Sequence, residues 1–196
     1  MATNPILDKR LNLVLEVERP DGSTCYVHHQ PISRQMWKTH YTYLSIVINS
    51  LYADGFPPST CARICYNRMQ EIAEQQKERF GDLQKTLFAE IWRLTNVMVP
   101  GDNGLETMSF YDVMKSDKIF DADNLEEVQN FVCFFTAASW VHGLNRKERE
   151  AFQLLMTSGF GVQTTASSVT EYKSSIPISK PEENTGAKET PLFTPA

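Results

Sequence analysis

The chain is short of the features that most often identify a protein from sequence. It has four cysteines in 196 residues, and its N-terminus, "MATNPILDKR", lacks the basic-then-apolar order of a signal peptide. Cys25, Cys61, Cys65 and Cys133 are therefore expected to be reduced thiols that behave as small apolar residues. No apolar run reaches the roughly 18–20 residues that span a bilayer. The longest, "FVCFFTAASWV", is interrupted by Thr136 and Ser139. There is no surplus of positive charge: the net charge is −5, and the one basic cluster, "NRKERE", carries two glutamates that largely cancel it. That argues against nucleic-acid backbone as a partner. The phosphate-binding loop, the dinucleotide fingerprint, the G-x-S-x-G elbow and H-E-x-x-H are all missing, and with them the usual grounds for assigning an enzyme or a cofactor.

What the chain does have is apolar patterning. At 41% hydrophobic and 22% charged, it reads as one globular domain. "LNLVLEVE" alternates with Leu11, Leu13, Leu15 and Val17 on one face, "RPDGS" is a turn, and "TCYVHHQ" returns with Cys25, Val27 and His29 together. A lone hairpin is marginal in water, so this one is expected to pack on helices or join another chain's sheet.

Beyond Pro31 the period becomes helical. Ser33 is an N-cap, and Trp37, Tyr41, Leu44, Ile48 and Leu51 form a stripe on a helix ending near Ala53. A second helix starts around Ser59 or Thr60, with Gly81 and Asp82 breaking or restarting it. A third carries Leu83, Leu87, Ile91, Leu94 and Met98 up to Pro100. "PGDNGLETMS" reads as a loop, and Ser109 caps a short helix. Asp123 or Asn124 caps an almost wholly apolar helix, with Glu126 and Glu127 as first-turn acids. Such a helix is either the centre of a bundle or a partner surface. "NRKEREAFQLLMTS" is a last helix.

Cys61 and Cys65 share a helix face, but no further ligands cluster with them except His28 and His29, far off in sequence, so no metal site is assigned. Glu90 and Arg93 are a surface pair. His142 is a packed or rim residue, and Asp54, Asp102 and Asp121 have turn and capping roles. No catalytic residue is nominated. The expectation is an α+β fold, mainly α: an N-terminal β-hairpin packed on a bundle of about five helices. Residues 1–160 make the domain and 161–196 a disordered Ser/Thr/Pro-bearing tail whose apolar islands can bind grooves or sheet edges.

Three stretches carry a resemblance: "HQPISRQMWKTHY", "AEIWRLTNVMVPGDNGLETM", and "EEVQNFVCFFTAAS" followed by "GVQTTASSVTEYKSSIPIS". In that order they resemble the tail assembly chaperones of tailed bacteriophages, over roughly His29 to Ser179. The most specific parts are E-I-x-R-L-T and T-E-[YF]-x-x-S-[IL]-P. The resemblance implies a non-enzymatic protein of the host cytoplasm that binds and masks the tape-measure protein and recruits tail-tube protein. It also implies, in many such phages, a frameshifted longer product, for which "NTGAKET" is a sensible place. A helical domain can mask apolar helix stripes by helix-in-groove contacts, with a tail as a tethered second contact. Phe131, Phe134, Phe135 and Trp140 are nominated for the apolar surface, with core packing as the alternative, and Tyr172, Ile176 and Ile178 for the tail. The other functional reading is a structural virion component, a tail or head–tail connector protein. Self-association is left open.

Overall fold

A computed structural model describes residues 4–7, 12–19, 21–101, 104–116, 118–139 and 163–164. The fold is mixed α+β. Its strands are β1 (Asn4–Leu7), β2 (Leu13–Glu18), β3 (Thr24–His29), β4 (Thr95–Gly101), β5 (Gly104–Ser109) and β6 (Gln163–Thr164). Its helices are α1 (Arg34–Ala53), α2 (Pro58–Gln75), α3 (Lys77–Phe80), α4 (Ala89–Arg93), α5 (Phe110–Met114) and α6 (Ala122–Ser139), with a π-helical segment, Gln84–Phe88, leading into α4.

The expected hairpin is present as β2 and β3, paired Leu13↔His29 to Glu18↔Thr24. Its turn closes by Arg19 N–H to Ser23 O and Gly22 N–H to Arg19 O, with Gly22 at φ 79°. Asp21 Oδ1 accepts the Ser23 N–H and hydroxyl at 2.9 and 2.6 Å. That is how an Asx side chain fixes a turn.

The hairpin does not stand alone against a bundle. It is the middle of a six-stranded sheet in the order β5-β4-β3-β2-β1-β6, antiparallel except where β6 lies parallel to β1. β6 falls just inside the stretch that composition assigns to the tail.

Two expected elements are corrected here. The third helix stops at Arg93, and the residues through Met98 and Pro100 are strand β4; the supposed loop after it is strand β5. Thr95, Val97 and Val99 alternate as β-branched residues, and β3 offers an edge that a helix would leave unpaired. Leu83, Leu87 and Ile91 are buried together as the helical stripe requires, whereas Met98 joins a different cluster.

Alternation sorts the sheet. Leu13, Leu15, Val17, Cys25, Val27 and Val97 belong to the main core with α1, α2, α4, α5 and α6. Ile6, Val14, Tyr26 and Met98 form a second cluster through the intervening positions.

Ser33 caps α1 as expected, accepting the Met36 N–H at 3.2 Å. The buried face is Tyr43, Leu44, Val47, Ile48 and Leu51. It is rotated by roughly 50° at 100° per residue from the expected stripe, so that Tyr41 falls outside. α2 begins at Pro58, one or two residues before the expected start at Ser59 or Thr60. α3 ends at Phe80, and Gly81 after it, with its φ of 69° and its N–H to Lys77 O, stops the helix. Ser109 caps α5, accepting the Asp112 N–H at 3.2 Å. For α6 the cap is Asp121, not Asp123 or Asn124: its Oδ1 accepts the Asn124 N–H at 2.8 Å. Asp123 is the acid of the first turn, and Glu126 and Glu127 lie one turn further in.

α6 packs along α2 and also meets α1 and β2. From Val128 to Ala138 it is buried nearly all round, which makes it the central helix. The last expected helix and the tail lie outside the described residues.

Candidate functional site

Phe134 and Phe135 are 1% and 0% exposed, so the contact surface expected of them is core in this structure. Phe131 is half-buried against that core. Trp140, His142, Tyr172, Ile176 and Ile178 lie outside the described residues, as does Asp102.

Among the described residues the large apolar side chains that face solvent, Tyr111 of α5 and three at and beyond α1, are on other elements. Tyr41 is 52% exposed, Tyr52 43% and Phe56 41%. Tyr41 and Tyr52 lie within about 60° of Trp37 around α1 at helical spacing, so they share one ridge. Trp37 and Tyr41 stack edge to face at 5.0 Å. Phe56 follows the left-handed Gly55 (φ 74°) that ends the helix. Arg68 of α2 fixes that end, bridging Asp54 and, at 3.0 Å, Glu71. Sequence patterning put Trp37 and Tyr41 on the core stripe; Trp37 does pack half-buried against the core, whereas Tyr41 falls outside it, because an aromatic at helical spacing looks the same on either side of the burial boundary.

The buried polar groups gather around His29. Its Nδ1 lies 2.9 Å from Thr95 Oγ1, its Nε2 lies 3.1 Å from Thr136 Oγ1, and Phe135 meets the ring edge-on at 5.6 Å. Thr95 and Thr136 also reach the Ile91 and Val132 carbonyl oxygens at 2.8 and 2.9 Å. Two hydroxyls and a neutral imidazole bring three hydrogens to these four contacts. Protonating the ring would supply the fourth but would put a cation in a fully buried site. Burial, followed by neighbouring His28, accordingly holds the His29 pKa down at about 3. This network ties β3, β4 and α6 together with a neutral ring. The strand alternation placed His29 on the right face with Cys25 and Val27, but its two threonine partners are 66 and 107 residues away in sequence.

All four cysteines are buried free thiols. Burial raises each thiol pKa, that of Cys25 to about 12, so the thiolate form that binds metals and attacks electrophiles is suppressed. Among the described residues no three His, Cys, Asp or Glu groups are placed to hold a metal ion. Glu90 and Arg93 do pair, through two hydrogen bonds of 2.6 and 2.8 Å.

One polar cleft, of about 470 Å³, opens between α2 and α6. It is lined by Arg63, Asp123, Asn124, Glu126, Glu127 and Asn130. Asn130 Oδ1 accepts the Tyr66 backbone N–H at 2.8 Å, and Glu126 accepts from Asn67 Nδ2 at 2.7 Å, so both helices hold the cleft's walls. No described helix is long and apolar enough to cross a membrane. No protein-family model, no curated protein and no solved structure matches the chain.

Proposed function

We propose that the chain is a tail assembly chaperone of a tailed phage: a non-enzymatic protein that binds and masks the tape-measure protein in the host cytoplasm and helps recruit tail-tube subunits. The observation that carries this reading is the ordered resemblance of the three stretches. The first falls at the end of β3 and the start of α1, the second on α4, β4 and most of β5, and the first part of the third on α6; its second part, apart from β6, lies outside the described residues.

The exposed ridge of α1 supports it. Tyr41 and Tyr52, with Phe56 beyond the helix end, present the aromatic surface on which an apolar helix stripe can lie, in place of the buried Phe134 and Phe135. The second reading, a structural virion component, is favoured by β5, which ends the sheet and can pair with a neighbour's strand. The β2–β3 hairpin cannot take that role, since β1 and β4 occupy both its edges.

Quantitative mass spectrometry of purified particles against infected-cell lysate separates the two. Abundance in the lysate with absence from the particle supports the chaperone, and co-purification with the tape-measure protein should then be weakened by Tyr41→Ser with Phe56→Ser. A fixed copy number in the particle replaces that reading with the structural one.

A further inference from the structure

The ridge of α1 carries charge of one sign. At 100° per residue, Arg34, Lys38, Tyr41, Ser45 and Tyr52 fall within about 60° of one another around the helix. Their separations of four, three, four and seven residues are those of a coiled-coil seam, with Ile48, 9% exposed, in the skipped place. Such a seam runs straight along a helix, so the shape that fits it is a second helix. From Arg34 to Tyr52 it is about 27 Å long, or about five helical turns. Arg34, Lys38, Tyr41 and Tyr52 are exposed along it.

α1 has no Asp or Glu, so its formal charge is +2, from Arg34 and Lys38, in a chain whose net charge is −5. Helix stability does not account for those two cations. The N-terminal end is the positive end of the helix dipole and favours acids. Arg34 stands at the first helical position, and no acid stands in the first turn. Among the described residues no salt bridge reaches Arg34 or Lys38. Asp54, the first acid after the helix, is already taken by Arg68.

We propose that this ridge docks an amphipathic helix of a partner protein whose apolar stripe is flanked by carboxylates. The stripe covers Tyr41, Tyr52 and Phe56, and the carboxylates pair with Arg34 and Lys38. The inference rests on the reading that the ridge masks a partner's helix, and it adds the chemistry by which that helix is chosen. Apolar area attracts any stripe, whereas the two cations reject one flanked by Lys or Arg. Basic and aromatic side chains also suit a nucleic-acid strand, but two cations in a chain of net charge −5 make a poor phosphate track.

The test is a titration of the full chain against three labelled peptides of about 20 residues, long enough to lie along the ridge. Each has a leucine stripe at helical spacing, and they differ only in having Glu, Gln or Lys beside the stripe at both ends. Fluorescence anisotropy reads the affinity, and the NMR signal of the Trp37 indole N–H, beside Tyr41, reads the contact. The Glu peptide should bind about tenfold more tightly than the Lys peptide, with the Gln peptide between them. About 1 M salt should narrow the gap. Arg34→Glu/Lys38→Glu should invert the order, and it should fold at least as well, because acids suit that end of the helix. Tyr41→Ser/Phe56→Ser should weaken all three peptides. Equal binding of the three would overturn the carboxylate assignment while leaving the ridge as a docking face. Failure of all three to bind, or binding unchanged in Tyr41→Ser/Phe56→Ser, would overturn the ridge itself, which the copy number in the particle does not test. Tighter binding of a labelled oligothymidylate would give the ridge to nucleic acid. A dimer of the free chain that the same two substitutions abolish would give it to a second copy, and either result overturns the proposal.

Discussion

Lowering the pH from 7 to 4 should weaken this fold through His29 in particular. An imidazole in the unfolded chain takes up its proton near pH 6.5, whereas in the folded protein burial holds the pKa at about 3. The unfolded state therefore binds more protons throughout that window. The contribution to stability is complete above pH 6.5 and is lost as the pH falls towards 3. At pH 4 the unfolded state has gained about 2.5 pH units of protonation, at 1.36 kcal/mol each, or about 3 kcal/mol. Urea unfolding at a series of pH values measures it, with His29→Gln as reference so that the carboxylates common to both proteins cancel. The wild type should lose about 3 kcal/mol more than the variant between pH 7 and pH 4. The His29 ring protons should meanwhile show no titration in the folded protein above about pH 4. Parallel stability curves, or a His29 titration near 6.5, would refute the reasoning, because either means the ring is solvated or charged in the fold.

Thr136→Val keeps the shape at the other side of that ring but removes the group facing Nε2. It should cost about 1–2 kcal/mol in urea unfolding, the cost of an unpaired buried polar atom. Phe135→Ala should destabilise by about 3–5 kcal/mol, as expected for a fully buried aromatic, while Tyr41→Ser should stay within about 0.5 kcal/mol. Equal effects of the two would contradict the placement of core and ridge. Gly22→Ala should cost about 1 kcal/mol and lower the melting temperature, since the turn holds residue 22 at a positive φ where a Cβ is disfavoured although nothing crowds it. An unchanged melting temperature would mean that the turn relaxes to another conformation.

How far the sequence could be read depended on whether the determinant was local. The Asp-Gly turn, the Ser33 and Ser109 caps and the stop at Gly81 each need only a few consecutive residues, and each is where the pattern put it. Strand β4 was hidden because Leu94 and Met98 continue a helical period begun at Leu83. The alternation of Thr95, Val97 and Val99 competes with that period, and only the open edge of β3 decides between them. β1 is four residues long and has too little period to show. The cleft was illegible for a stronger reason. Arg63 and Asn124 are ordinary surface-helix residues in sequence, and what makes Asn124 unusual, a buried oxygen with no donor among the described residues, exists only after α2, α6 and the end of β2 have met. Tyr41 was placed on the buried stripe for want of a few tens of degrees around α1.

The strand order also sets a timetable for synthesis. β2 and β3 are neighbours in the chain, but β3 pairs on its far side with β4, and His29 and Thr95, which face each other across that pairing, are 66 residues apart. At roughly 5–20 residues per second, a ribosome takes roughly 3–13 s to make that intervening length. For that interval the nascent hairpin has one edge with no partner, flanked by Cys25 and Val27 that will later be core. A polysome brings several such edges close together, and each is a template for strand pairing between chains. Expression yield should therefore respond to elongation rate and temperature more steeply than the stability of the finished fold suggests, and slowing the ribosome between Gln30 and Leu94 should lower it.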